Sequence, residues 1–118
     1  MKEQEVEYVL TVLGNTGKIL EVDLTNEKTS ILKPNPEIYR NFVGGSGLAA
    51  RLLFEDLTEE LDPLSPENPL GFFTGPLSGT KTPNCGRHVV CAKSPLTNIF
   101  GEANSGGGLC RLWMHDPR

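Results

Sequence analysis

Three cysteines, Cys85, Cys91 and Cys110, and two histidines, His88 and His115, are the soft and titratable ligands of this 118-residue chain. Three thiolates could hold a zinc ion or part of an iron-sulfur cluster. The spacing argues against it: Cys85 and Cys91 are six residues apart, no Cys-x-x-Cys pair occurs, and Cys91 lies in HVVCA as a small hydrophobe would in a strand. No Ser, His and acid set stands out as a nucleophilic triad. An odd number of cysteines, in a chain whose first seven residues carry charges and no apolar leader, predicts reduced thiols and a cytoplasmic location.

Anion chemistry has better material. GSGLAA at 45–50 fits the G-x-G-x-x-A form of a dinucleotide-binding turn, in which backbone N–H groups at a helix start hold a phosphate. That fingerprint needs a buried strand before it, whereas PEIYRNFV carries helix-start signals, so a glycine break between two helices competes with it. Residues 73–107 hold six glycines, three prolines and ten Ser, Thr or Asn, so this stretch is either loop or backbone held close to something. Within it, Gly75-Pro76 and Thr82-Pro83 impose turns, and Gly86-Arg87 places a permanent cation where a strand begins. Asn104-Ser105-Gly106-Gly107 offers amides, carbonyls and small side chains that let a phosphorylated or planar ligand approach the main chain.

The elements that must position these residues follow from periodicity. The run YVLTVL at 8–13 reads as a strand, with Gly14, Asn15 and Gly17 as turn formers. Ile19, Leu20, Val22 and Leu24 largely alternate with Glu21 and Asp23, and after a break at 25–27 the pattern resumes over 29–32, which predicts a small antiparallel meander. Asn35, Pro36 and Glu37 are an N-cap, a first-turn proline and a first-turn acid, so a helix starts near Pro36. Consecutive glycines each cost about 1 kcal/mol in a helix interior, which predicts that it yields at 44–47 and that a second helix runs from 48 to about 57. Pro63, Pro66 and Pro69 mark an ordered loop, and 70–74 and 87–92 are short strands. The fold class is α+β, mostly antiparallel sheet with one broken helical segment, in a single domain. A net charge of −4 with eleven scattered Lys and Arg gives no footprint for nucleic acid, and no segment has the length and apolarity of a membrane span.

The ordered set GKILEVDLT (17–25), FVGGSGLAARLL (42–53), DPLSPENPL (62–70), TGPLSGT (74–80), GRHVVCAKSPLT (86–97) and EANSGG (102–107) resembles the N-terminal domain of the tungsten-containing aldehyde ferredoxin oxidoreductases. Each motif alone is weak; the six in this order are specific. The resemblance implies a β-rich base for a bis-pterin cofactor that carries tungsten, with magnesium bridging the pterin phosphates. It also implies an enzyme that oxidises an aldehyde with water to a carboxylate and passes electrons through a 4Fe-4S cluster to ferredoxin.

Carried over by position, the resemblance makes Arg87 a ligand of the cofactor's phosphate, a task suited to a guanidinium that stays charged and forms paired bonds. It makes the backbone carbonyl of Asn104 a neighbour of magnesium, an oxygen donor for a hard cation, with Ser105 and Gly106 completing the cofactor-binding set. It assigns no catalytic residue to this chain. Two departures accompany it. Ser46 stands where many members read arginine, and after 107 the chain continues as GLCRLWMHDPR instead of the family's next segment. The expectation is therefore a domain over 1–107 with a divergent tail over 108–118, in a truncated, split or frameshifted piece. Such a piece is inactive alone, is completed by a downstream polypeptide, and lacks the cluster's ligands. The competing expectation is a non-catalytic remnant or a dinucleotide- or phosphate-binding module.

Overall fold

The computed structural model describes residues 14–107. The strand expected at 8–13 and the tail at 108–118, with Cys110 and His115, lie outside the described residues.

Strand β1 (Ile19–Asp23) turns back into β2 (Lys28–Leu32) as an antiparallel hairpin, with Leu20 opposite Ile31 and Val22 opposite Thr29. The turn is built by Asp23, whose carboxylate accepts the N–H groups of Thr25 and Asn26 at 3.0 and 3.1 Å and the Asn26 side-chain amide at 2.7 Å. Those bonds, that from the Asn26 side chain first, hold the Asp23 carboxyl below its ordinary value.

Helix α1 (Pro36–Phe42) begins as its sequence requires: the Asn35 side chain accepts the Glu37 N–H at 3.0 Å, proline occupies the first turn, and Arg40 lies in the last. The break comes earlier than the glycine run suggests. Val43 has φ 62° and ψ −63°, and the Gly44 N–H donates to the Phe42 carbonyl at 2.6 Å, which makes a γ-turn of the strained, positive-φ hand. Helix α2 (Gly45–Leu53) then starts at once, so Gly45 and Gly47 lie in its first turn. The first four N–H groups of a helix have no intrahelical partner in any case, so flexibility costs least there. The regular helix ends at Leu53 rather than near 57, and one further turn follows it, in which the Asp56 and Leu57 N–H groups share the Leu53 carbonyl.

Strands β3 (Gly71–Thr74), β4 (His88–Lys93) and β5 (Phe100–Ser105) form an antiparallel sheet in the order β3-β4-β5. The first two fall where the sequence places them. β5 carries no strand signal in its sequence, since FGEANS has neither β-branched residues nor alternation; pairing along all six residues of β4 makes it a strand. Alternation assigns the faces. Phe73, Val89, Cys91, Lys93, Asn104, Glu102 and Phe100 share the face that α2 covers with Leu48, Ala49 and Leu53. The core is Ala49, Leu53 and Cys91, with Leu57, Phe73 and Phe100 packed against it. The α+β class with two antiparallel sheets and a broken helical segment is thus the observed architecture.

Two polar devices lock the loop over 54–70 onto β4. The Asn68 side chain accepts the Lys93 N–H and donates to the Lys93 carbonyl, both at 3.0 Å, extending the ladder as a strand would. The Lys93 ammonium, 2% exposed, donates to the carbonyls of Thr58, Glu59 and Leu61 at 2.7, 3.0 and 2.7 Å. A buried charge is tolerated only when its donors are used, and here three carbonyls take them.

Candidate functional site

At the end of the sheet where β4 begins, an open groove of about 320 Å³ gathers residues from four distant segments. Gly45 enters from the start of α2, Gly75, Pro76, Leu77 and Ser78 from the loop after β3, Cys85 and Arg87 from the approach to β4, and Asn104 from β5, over a floor of Phe73 and Val89. His88 also lines it.

Each segment has a local reason for its place. Gly44 is extended, and a Cβ there would come within 2.9 Å of the Thr74 carbonyl and 3.3 Å of the Gly75 Cα, so only glycine lets the helix break lie against the end of β3. Ser78 N–H closes a turn onto the Gly75 carbonyl at 3.1 Å, as Gly75-Pro76 predicts, and the buried Ser78 hydroxyl donates to the Arg87 carbonyl at 3.3 Å. The rest of that loop is held by short-range bonds, including Cys85 Sγ to the Thr82 carbonyl at 2.8 Å and the Thr82 N–H to the Thr80 hydroxyl at 3.2 Å.

The four residues expected to bind cofactor are not equivalent. Arg87 and Asn104 both line the groove. Val89 pairs with Asn104 and His88 with Ser105, so continuing the register sets Arg87 opposite Gly106 and puts Arg87 and Asn104 on one face. Gly106 adjoins Arg87: a Cβ on it would lie 3.8 Å from the Arg87 Cγ. Ser105 belongs to the opposite face by the same alternation and is not a lining residue. Sequence reasoning missed Ser78 as a member of the site. A serine in a turn carries no local mark of burial, and only the order of the strands brings it under Arg87.

Among the described residues the groove is cationic in character: Arg87 is the charged group that lines it, none of the described lining residues is a carboxylate, and the other walls are backbone, small polar groups, the His88 ring and apolar carbon. That arrangement suits an anion with a planar or apolar body. A larger depression of about 600 Å³ lies elsewhere, between β1 and the loop after α2, with Glu21, Asp56, Glu60 and Glu67 around it; its charge would repel an anion. Cys91 is buried under α2, and burial first, then the Glu102 carboxylate on the same face, pushes its thiol above the ordinary value, so it is a core residue and not a nucleophile. Among the described residues, no three His, Cys, Asp or Glu side chains converge as a metal site, and no helix is long and apolar enough to cross a membrane. The strand that a dinucleotide fingerprint needs before GSGLAA is replaced by α1.

Comparison with known proteins gives a consistent family. The family described as aldehyde ferredoxin oxidoreductase, N-terminal domain, matches residues 19–113. The tungsten-containing aldehyde ferredoxin oxidoreductase of Pyrococcus abyssi is 43% identical over 96 residues, which are 81% of this chain and 16% of that protein. The aliphatic sulfonate oxidoreductase, WOR-like subunit, of Pyrococcus furiosus is 40% identical over 85 residues, 70% of this chain and 13% of that one. Among solved structures, the active site complex BamBC of benzoyl coenzyme A reductase superposes with a TM-score of 0.78 at 34% identity, over 84% of this chain and 15% of that one. The chain thus spans about a sixth of the length of the curated relatives it matches.

Proposed function

This chain belongs to the aldehyde ferredoxin oxidoreductase family, in the region of its N-terminal domain, and from that premise we propose that the groove around Arg87 holds the phosphate end of a tungstopterin cofactor. One observation carries the reading: the glycine break before α2, the Gly75–Ser78 turn, Arg87 and Asn104 meet in a single groove whose charge, among the described residues, is a guanidinium. The residues present fit such a group. Arg87 supplies the paired donors that a phosphate takes, Gly106 leaves the space beside it open, and glycines at 45 and 75 let the ligand approach backbone. Asn104 would offer its carbonyl oxygen to magnesium, a cation that keeps waters and phosphate oxygens as its other ligands and so needs no carboxylate cage. When bound, the tungsten centre supplies the two-electron redox chemistry.

This chain's own part is to bind and orient the cofactor. In the whole enzyme, aldehyde and water become carboxylic acid with release of two protons and two electrons, and the electrons leave through a 4Fe-4S cluster to ferredoxin. Relatives named for an aldehyde and for an aliphatic sulfonate share this region, which favours placing substrate choice in other parts of the enzyme. The chain alone is therefore expected to bind and not to turn over. The test is anaerobic equilibrium binding of the metal-free pterin cofactor to the chain and to Arg87→Ala. Losing a charged pair of bonds weakens binding by about tenfold or more. Equal affinity of the two proteins would overturn the assignment.

A further inference from the structure

Ser78 is 7% exposed, and its hydroxyl, from the turn closed by Ser78 N–H on the Gly75 carbonyl, donates to the Arg87 carbonyl at 3.3 Å. Arg87 is the last residue before β4, which begins at His88, so its peptide lies where the sheet ladder starts. The guanidinium stands at the end of a long side chain. A backbone rotation of roughly 10–20° there exceeds the tolerance of about 0.5 Å that a preorganised binding group can absorb. Ser78 also joins two parts of the site: its turn abuts Gly44 at the helix break, where a Cβ would lie 3.3 Å from the Gly75 Cα, and its hydroxyl reaches the strand that carries Arg87.

We propose that Ser78 is a positioning residue: through the Arg87 carbonyl, which accepts its hydroxyl hydrogen bond, it fixes the direction in which the guanidinium enters the groove, and so sets affinity for the anion. This rests on the reading of Arg87 as the anion's anchor. Burial disfavours a water in place of the hydroxyl, so its loss leaves the Arg87 carbonyl without this bond.

The experiment titrates the 118-residue chain with inorganic phosphate and follows the Arg87 Nε–H resonance by NMR, for the native protein and for Ser78→Ala, Ser78→Thr and Arg87→Ala. In the Arg87 variant, which lacks that resonance, the backbone amide of Asn104 is followed. We expect Ser78→Ala to raise the phosphate Kd at least fivefold while the thermal midpoint moves by only a few degrees, and Ser78→Thr, which keeps the hydroxyl, to bind within twofold of native. An unchanged Kd in Ser78→Ala would overturn the proposal, and so would a Ser78→Thr defect as large as that of alanine, since volume rather than the hydroxyl would then be at issue. Should Ser78→Ala fail to fold, Ser78→Cys, a weak donor of similar shape, is read in its place with the same expectation. Phosphate binding that survives in Arg87→Ala, or is absent from the native chain, removes the anchor itself; loss in Arg87→Ala with no change in Ser78→Ala removes only the role of Ser78.

Discussion

Lys93 at the end of β4 and Arg87 just before its start show two fates of a cation. Arg87 is exposed and lines the groove; Lys93, six residues on, spends its three protons on carbonyls 32 to 35 residues earlier in the chain. Lys93→Met keeps most of the volume but leaves three carbonyls without the ammonium that they share, so it should cost about 3 kcal/mol, measured as a fall in the urea midpoint; a loss below about 1 kcal/mol would mean that the carbonyls find water. Only one of the two could be read beforehand. Arg87 follows a glycine at a strand start, a local signal, whereas Lys93 looks like an ordinary surface lysine because its partners lie in a turn that reaches it only in the folded chain. Cys91 adds a pH dependence. Its thiol is held above the ordinary 9.0 by burial and then by Glu102, so the folded state favours the protonated form. That stability is complete below the ordinary value and is lost as pH rises through the folded one. Urea midpoints measured at about pH 8 and about pH 10 should therefore fall in the native chain and fall less in Cys91→Ala.

The element that matters most to the site is the break between α1 and α2, where three neighbouring residues face different constraints. Gly44→Ala drives a methyl group into the Thr74 carbonyl and should destabilise by about 2 kcal/mol, while Gly45→Ala meets nothing within 4 Å and pays only for its φ of +56°, about 1 kcal/mol. Val43→Gly should go the other way. A β-branched residue at φ 62° and ψ −63° stores strain, and the side chain, 58% exposed, returns little burial, so removing it should raise the thermal midpoint by roughly 4 °C in a domain of this size. Calorimetry of the three variants checks the order; a lower midpoint for Val43→Gly would show that the turn is not strained. The sequence announced this break through its glycines and through the Asn-Pro-Glu start of α1, but its position depends on Gly44 meeting β3, which no local rule contains. β5 was illegible for a related reason: Gly101, Ala103 and Asn104 have no strand propensity of their own, and β4 supplies the missing preference.

At the scale of the molecule, the two sheets differ in what protects them. The central sheet keeps Val89 and Cys91 at 2% exposure under α2, whereas β1 and β2 carry Leu20, Val22 and Ile31 on one face, all at least half exposed, with no layer over them among the described residues. Alternation in the sequence foretold the hairpin and which residues would share its apolar face; it could not say that the described residues would leave that face open. A two-stranded sheet is marginal in water on its own; among the described residues the hairpin is supported by its turn, through Asp23, and by the Ser30 hydroxyl donating to Glu21 at 2.9 Å. Two consequences follow from one cause. Ile31→Thr should change global stability by less than about 0.5 kcal/mol, since little area leaves water on folding, while Val89→Ala should cost about 2 kcal/mol. Amides of β1 and β2 should also exchange with solvent through local opening, at least tenfold faster than those of Val89 and Cys91, which wait for opening of the whole sheet. Equal protection of both sheets, together with a large cost for Ile31→Thr, would mean that the open face is covered in solution and that the hairpin belongs to the same cooperative unit as the groove.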